Sequence, residues 1–405
     1  MRCRSATRDA GTEKRRIRLP RNVVMLGLTS LLTDVSSDMI IPLLPVFLTT
    51  MLGVTPRFVG LIEGVADSTA SVLRLMAGWL SDRMGHRKPL VVWGYSVAAV
   101  ARPLVALATA GWHVLLIRFL DRIGKGVRGA PRDALIADST PAKYRGRAYG
   151  FHRALDHLGA VVGPFIAFVL LTWGLSYRAI FALAAIPGVL AIVLVTVAVR
   201  EPPLQTPQRA TLPSLSLKPF HRAFKAFLLI LLIFTLGNSS DAFLLLRAQT
   251  VGIPSPLLPV LWLVLHAVKS LASLPGGMWS DRVGRKRVIL IGWSVYAAIY
   301  LGLAFAQAPW HLWALFTIYG FYFGLTEASE KALVADLVSA ELHGIAFGLY
   351  NMATGVMMLP ASVLMGVMWH HIGVPAAFGT GAALAGAASI LLALLVRPPP
   401  GARAI

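Results

Sequence analysis

Long apolar segments restrict this chain to the folds that a lipid bilayer permits. Hydrophobic residues make up 56% of the 405 residues and charged residues only 14%, a composition too apolar for a water-soluble globular domain. A helix needs about 20 mostly apolar residues to cross a bilayer. The sequence predicts twelve such helices, at residues 22–51, 58–80, 89–110, 113–134, 148–172, 179–199, 223–246, 256–276, 288–308, 311–335, 344–370 and 374–396.

Basic residues are concentrated in alternate loops. The formal net charge is +20, and Lys and Arg cluster in the N-terminal tail, around 83–88, 143–147 and 282–287, and between 200 and 225. Loops on the cytoplasmic side of membrane proteins carry such an excess. We therefore expect a multi-pass protein of a bacterial inner membrane with both termini in the cytoplasm. Basicity also suits nucleic acid, but its sorting by alternate loops favours the membrane, and we expect no nucleic-acid partner.

The chain divides into two matching halves. Residues 200–222 contain five prolines and several basic residues, which is typical of a linker. The sequence ALIAD at 134–138 matches ALVAD at 332–336 in the other half. The prediction is a basic tail at 1–21, a six-helix bundle at 22–199, a linker at 200–222, a second six-helix bundle at 223–396 and a tail at 397–405.

One loop motif occurs in both halves, as GWLSDRMGHRK at 78–88 and GMWSDRVGRKR at 277–287. It resembles the loop between the second and third helices of the major facilitator superfamily. The resemblance implies an all-α membrane fold of twelve helices in two pseudo-symmetric bundles, which act as a secondary transporter.

The same resemblance implies that these loops latch the two bundles together on the cytoplasmic side. Asp82 and Asp281 would be the latch acids, and Arg83 and Arg87 are candidate partners for Asp138. A basic loop that only sets orientation is the alternative. The expected latch residues are Gly78, Asp82, Arg83, Gly85, Arg87, Asp138, Gly277, Asp281, Arg282 and Gly284.

Charged residues in the membrane-spanning segments are the candidate functional groups, because each is costly there unless it has a partner or faces a wet cavity. Asp34 and Asp38, four residues apart, are the expected proton carriers, with Arg118 modulating them and Asp156 as a further candidate. A fixed network of mutually neutralising charges is the alternative. The expected cavity residues are Glu63, Asp67, Arg102, Asp121, Arg122, Lys125, Asp241, His266, Lys269, Tyr319 and Phe323.

The fifth segment carries Gly150, Gly159, Gly163 and Pro164. This spacing resembles the antiporter motif of exporters in the same superfamily, although Ala167 and Phe168 replace its usual final glycines. Small residues also permit close helix packing in any membrane protein. The C-terminal half has fewer deep charges and more aromatic residues, so we expect it to form an apolar wall of the cavity.

We expect a monomeric transporter that exports a small organic acid, zwitterion or siderophore-like metabolite in exchange for protons. A multidrug:proton antiporter, an importer with the same fold (symporter or uniporter) and a receptor without flux are the alternatives. No metal-ligand spacing or phosphate-binding loop appears. We therefore expect no cofactor, no metal and no enzymatic activity.

Overall fold

The computed structural model describes residues 19–44, 47–53, 70, 73–201, 217–239, 241–254 and 257–396. Of the predicted cavity residues, Glu63 and Asp67 lie outside this part of the chain. So do both predicted tails, apart from residues 19–21, and most of the predicted linker.

The N-terminal half is built from helices, of which the last two form one continuous span. They are α1 (Arg21–Asp38), α2 (73–84), α3 (Lys88–Ala101), α4 (Gly111–Asp138), α5 (Arg145–Thr172), α6 (Tyr177–Leu183) and α7 (Ala185–Ala198). The first predicted segment, 22–51, is not one regular α-helix. α1 ends before Pro42, which has no backbone N–H to continue the hydrogen-bond ladder, and a π-helical turn follows at Phe47–Met51.

The C-terminal half repeats this order. Its helices are α8 (Arg222–Gly237), α9 (Ala242–Thr250), α10 (Leu258–Val283), α11 (Arg285–Phe305), α12 (Pro309–Asp336), α13 (His343–His371) and α14 (Val374–Leu395). The predicted segment 223–246 is interrupted after Gly237, so α8 and α9 together form one segment. Within the described residues, the structure is helical and contains no strand.

The interiors of the two halves differ in chemistry, although one apolar cluster contains residues of both halves. α1 packs against α5 and α7 in the N-terminal half, and α11 packs against α12 and α14 in the C-terminal half. The C-terminal core is filled by stacked aromatic rings, such as Phe234 on Trp293 at 4.2 Å and Tyr296 on Tyr300 at 4.3 Å. Charged groups occupy much of the N-terminal interior instead.

The halves meet most closely where glycines face each other. A Cβ on Gly78 would overlap the carbonyl oxygen of Gly344 on α13, and a Cβ on Gly277 would overlap that of Gly146 on α5. Only glycine allows helices to approach this closely. We call the end of the bundle that holds the loops after α2 and α10 the latch end.

Both motif loops end their helices in the same way. Gly85 has φ +66° and Gly284 has φ +104°, and an L-residue with a side chain rarely adopts this left-handed region. The final glycine of the motif therefore reverses the chain directly after α2 and α10.

Seven helices in the described residues are long and apolar enough to cross a membrane. They lie at Lys88–Leu107, Ala142–Thr172, Tyr177–Ala198, Val260–Val283, Arg285–Phe305, Ala340–His371 and Val374–Leu395. Large apolar side chains cover their outer faces; Val197 is 75% exposed and Leu271 77% exposed. This surface suits lipid rather than water.

The orientation of the bundle can be tested by cysteine labelling in a Cys3→Ser background. Cysteines at positions 84, 210 and 283 belong to the basic side of the chain, whereas positions 53, 175 and 253 belong to the opposite turns. By the positive-inside rule, a membrane-impermeant thiol reagent added to intact cells should label only the second set. Labelling of the first set alone would reverse the predicted orientation.

Candidate functional site

The carboxylate of Asp82 binds the first turn of a helix in the opposite half. It accepts hydrogen bonds from the backbone N–H groups of Gly344 at 3.0 Å and Ile345 at 2.7 Å. These donors have no partner within α13, and the helix dipole favours an anion at this position. Asp82 therefore joins α2 directly to the N-terminus of α13.

Arg87 extends this contact across the latch end. Its guanidinium is 1% exposed and lies 2.7 Å from Asp82 and 2.5 Å from Asp138. It also donates to the carbonyl oxygen of Ala340 at 3.0 Å, and His343 lies 2.6 Å from Asp138. One arginine thus bonds to acids of two N-terminal helices and to the backbone of the C-terminal half.

The second copy of the motif makes the equivalent contact in the opposite direction, from the C-terminal half to the N-terminal half. Asp281 accepts from the backbone N–H groups of Gly146 at 2.9 Å and Arg147 at 2.7 Å, at the start of α5. Arg285 pairs with Asp281 and lies 3.4 Å from Asp336. The repeat of the sequence therefore reappears in the contacts at the latch end, although Arg145 pairs with Asp336 where His343 pairs with Asp138.

The remaining latch arginines point away from this contact. Arg83 is exposed and lies over the ring of Trp79 at 5.4 Å, and Arg282 is exposed as well. Successive helical residues differ by about 100° in direction, so the residue after each latch acid faces outward. Of the two candidate partners for Asp138, the structure brings Arg87 to it and not Arg83.

A cavity of about 530 Å³ lies between the halves. Its wall contains charged groups from both halves: Asp34, Asp38, Arg74, Arg102, Asp121, Arg122, Lys125, Arg128, Arg132, Asp133, Arg153, Asp156, Glu327, Glu330 and Lys331. His157, His266, Phe234, Tyr322 and Phe323 line it too. A cavity of this size and mixed polarity suits a small organic molecule.

The glycines of the fifth segment bring α5 against α1 beside the two predicted proton carriers. A Cβ on Gly159 would lie 2.8 Å from the Cβ of Asp34, and one on Gly163 would lie 3.0 Å from the Cβ of Asp38. Neither carboxylate forms an ion pair or a hydrogen bond with another described residue. Pro164 lies directly after the second glycine, and Gly150 packs against the backbone of Ser273 on α10 instead.

Several of the predicted charges neutralise each other. Arg102 lies 2.7 Å from Asp121 and donates to the carbonyl oxygen of Thr33 at 2.7 Å, and Arg118 lies 3.5 Å from the same Asp121. Arg118 does not line the cavity, because its side chain is buried against this acid. Arg102, Arg118 and Asp121 therefore form one buried ionic cluster, and neither Asp34 nor Asp38 forms an ion pair with it.

Three predicted cavity residues of the C-terminal half do not line this cavity, and two of them are buried. Lys269 is 4% exposed, with its Nζ 3.5 Å from the centre of the Phe323 ring, a cation–π contact. Tyr319 is fully buried and donates to Asp241 at 3.1 Å. Asp241, Lys269 and Tyr319 therefore lie outside the lining of this cavity, whereas His266 and Phe323 belong to it.

The cavity also contains charged residues that sequence analysis missed. Lys331 bonds to Asp133 at 2.5 Å, and Glu327 lies 3.0 Å from His157 and 3.5 Å from Arg153. These pairs join the two halves, so the C-terminal wall is not purely apolar. The repeat in the sequence does indicate one of these pairs, because Asp133 and Lys331 occupy equivalent positions of the two halves, 198 residues apart.

Glu330 is the most isolated of the missed acids. One of its oxygens accepts from the Nε1 of Trp293 at 2.8 Å, and the other accepts from the hydroxyl of Tyr350 at 2.8 Å. Both donors are neutral, so no described cation compensates this carboxyl group directly.

Comparison with known proteins agrees with this architecture. A relative from Methanocaldococcus jannaschii, named an uncharacterised MFS-type transporter, is 34% identical over 87% of this chain and 89% of its own length. The multidrug resistance protein MdtH of Aeromonas hydrophila is 29% identical, but over only 44% of this chain and 46% of its own length.

Two solved structures have a similar fold. The human organic anion transporter MFSD10 is 17% identical with a TM-score of 0.72, over 92% of this chain and 99% of that one. The proton:xylose symporter XylE is 16% identical with a TM-score of 0.77, over 94% of this chain and 96% of that one. The sequence model described as Major Facilitator Superfamily matches residues 26–268 and 257–405. This chain therefore belongs to the major facilitator superfamily of membrane transporters.

Proposed function

We propose that this transporter exports a small organic acid, zwitterion or siderophore-like metabolite in exchange for protons. The observation that carries this proposal is a charged cavity between the halves that is closed at one end by two symmetric contacts. The names of similar proteins indicate different functions. One relative is a multidrug resistance protein, and one protein of similar fold is a proton:xylose symporter. Multidrug export and import are the alternative functions.

Alternating access requires the latch contacts to form in one state and break in the other. The backbone N–H groups that bind Asp82 and Asp281 lie on the other half of the chain. When the halves separate at the latch end, water must replace these carboxylates. The latch therefore sets the relative stability of the two states.

Removing the latch charge should open the latch end. Asp82→Asn replaces charge-assisted hydrogen bonds, each contributing roughly 1.5–3 kcal/mol, with weaker ones. A Thr354→Cys reporter in the cavity, probed from the latch side in membrane vesicles, should be labelled about tenfold faster or more. Asp281→Asn should have a smaller effect, because the N-terminal copy usually dominates in the superfamily.

Arg83→Gln is the matched control for the latch, because it removes a charge from the same loop at an exposed position. Its labelling rate should equal that of the reporter alone. Unchanged rates in both Asp variants would mean that the motif only sets the orientation of the protein.

The ion pair between Asp133 and Lys331 is a second contact that the halves must break. Both side chains are at most 2% exposed, and they join α4 to α12. Removing one partner of a buried pair leaves an uncompensated charge, at a cost of roughly 3–5 kcal/mol. Asp133→Asn should therefore impair transport strongly.

A charge exchange tests whether the pair itself matters. The double variant Asp133→Lys with Lys331→Asp restores opposite charges at equivalent positions and should recover much of the lost transport. Arg132 lies 3.2 Å from Asp133, so full recovery is not expected. No recovery over the single variants would show that local surroundings, and not the pair, carry the effect.

Proton coupling is assigned to Asp34 and Asp38, which line the cavity without an ion-pair partner among the described residues. In inverted vesicles energised to an acidic interior, an exported substrate should release protons and restore the fluorescence of a ΔpH-sensitive dye. A panel of carboxylates, zwitterions and ethidium identifies the class of substrate. Asp34→Asn and Asp38→Asn should abolish the response.

Three outcomes of the dye assay are informative. A response to ethidium alone would establish the multidrug alternative, and no response to any compound would contradict proton exchange. A response that survives in both Asn variants would place the proton carrier elsewhere, with Asp156 and Glu330 as the next acids to test.

A further inference from the structure

We propose that Arg74, Lys125 and Arg128 form a subsite that binds an oxyanion group of the cargo, a carboxylate or a phosphate. All three side chains line the cavity. The inference rests on the proposed function, since it identifies the part of the cavity that recognises cargo. It differs from the sequence-based expectation, which favoured Arg102, Arg118 and Arg122 together with Lys125.

Close packing of α2 on α4 places Arg74 in this cluster. A Cβ on Gly126 would lie 2.7 Å from the Cβ of Leu73, so the helices touch there. One residue further along α2, the stem of Arg74 lies over Gly129, where a Cβ would be 3.4 Å from its Cγ and 3.6 Å from its Nε. The missing side chain of Gly129 leaves room for the guanidinium at the cavity wall.

Arg128 has an unused donor in a buried position. Its side chain is 4% exposed and its guanidinium lies over the ring of Tyr95 at 4.5 Å. Its Nη1 has no hydrogen-bond partner in the part of the chain that the structure describes. A buried donor without a partner is costly, and an oxyanion in the cavity would satisfy it.

Lys125 faces the open space of the same wall. Its side chain is exposed to the cavity, three residues before Arg128 on the same helical face. An ammonium group has three donors and no acceptor. Arg74, Arg128 and Asp34 are all among its charged neighbours.

Several other cations of the cavity already have carboxylate partners. Arg102 pairs with Asp121, Arg153 with Asp156 and Lys331 with Asp133. Arg74, Lys125 and Arg128 form no such pair with a described acid. Within the described part of the chain, these three cations can therefore offer their charge to a ligand.

The balance of charge favours one oxyanion. Among the described groups, the three cations of the subsite outnumber the two carboxylates of Asp34 and Asp38 by one when both acids are ionised. Across the cavity, Phe234, Tyr322 and Phe323 present aromatic rings to an apolar part of the cargo. The subsite thus suits an organic molecule with a single carboxylate or phosphate group.

Thermal unfolding of the purified full-length chain tests this subsite without any assay of transport. The probes are benzoate, phenyl phosphate, benzyl alcohol and benzylammonium, which share one ring and differ in their polar group. A ligand of the folded state raises the unfolding temperature in a saturable way. We expect this for benzoate, phenyl phosphate or both, and not for the alcohol or the amine.

Variants connect the effect to the three cations. Arg74→Gln, Lys125→Gln and Arg128→Gln should each raise the half-saturating concentration of the anionic probe by about tenfold, the worth of one charge-assisted hydrogen bond. Arg128→Lys retains the charge and should lose less. Arg83→Gln, at an exposed position near the end of α2, is the matched control and should bind the anionic probe as the unaltered chain does.

Either anion alone supports the subsite and identifies the group it prefers. Anions that stabilise no better than benzyl alcohol would overturn it, and so would equal binding in all three Gln variants. The result is separable from the proposed function: binding without proton-coupled flux would refute export and leave the subsite in place. Proton-coupled export that is unchanged in all three Gln variants would support the proposed function and refute the subsite.

Discussion

The closed end of this transporter depends on two carboxylates that bind helix N-termini across the interface between its halves. Asp82 and Asp281 each accept two backbone hydrogen bonds from the opposite half. Facing glycines make these contacts possible, because any side chain at Gly78 or Gly277 would hold the backbones apart. The rest of the interface follows from this close approach. α5 connects the latch end to the cavity. Asp281 binds the first turn of this helix, and further along the same helix Gly159 and Gly163 pack against Asp34 and Asp38.

In the proposed mechanism, the position of Asp34 and Asp38 beside the cation cluster affects which cargo can be exchanged for protons. A proton on Asp34 removes a negative charge near Lys125 and so strengthens the binding of an oxyanion there. Binding energies couple reciprocally, so a purely anionic cargo and a proton bind together, as a symporter requires. A zwitterion differs, because its ammonium group can take the place of the proton at Asp34 or Asp38. The proposed proton exchange therefore favours a zwitterion over an organic acid that has no ammonium group.

Much of the architecture could be predicted from the sequence, because it depends on local and repeated patterns. The repeated loop motif indicated both the family and the residues at the interface, and hydropathy indicated the helices. Pairings within the cavity were harder to predict. Asp133 and Lys331 are close in space but 198 residues apart, and no local pattern shows which charges meet. Position along a helix is the other difficulty: Tyr319 and Phe323 are four residues apart and share a helical face, yet Phe323 lines the cavity and Tyr319 does not.

The pair of Asp133 and Lys331 also affects how the halves recognise each other. These residues are equivalent in the repeat, so they meet across the pseudo-two-fold axis. In a complex of two N-terminal halves, an aspartate would face an aspartate, and in a complex of two C-terminal halves a lysine would face a lysine. Both are repulsive contacts in a buried position. If the halves were synthesised as separate chains, this position alone would favour the mixed complex over either homodimer, without help from the linker.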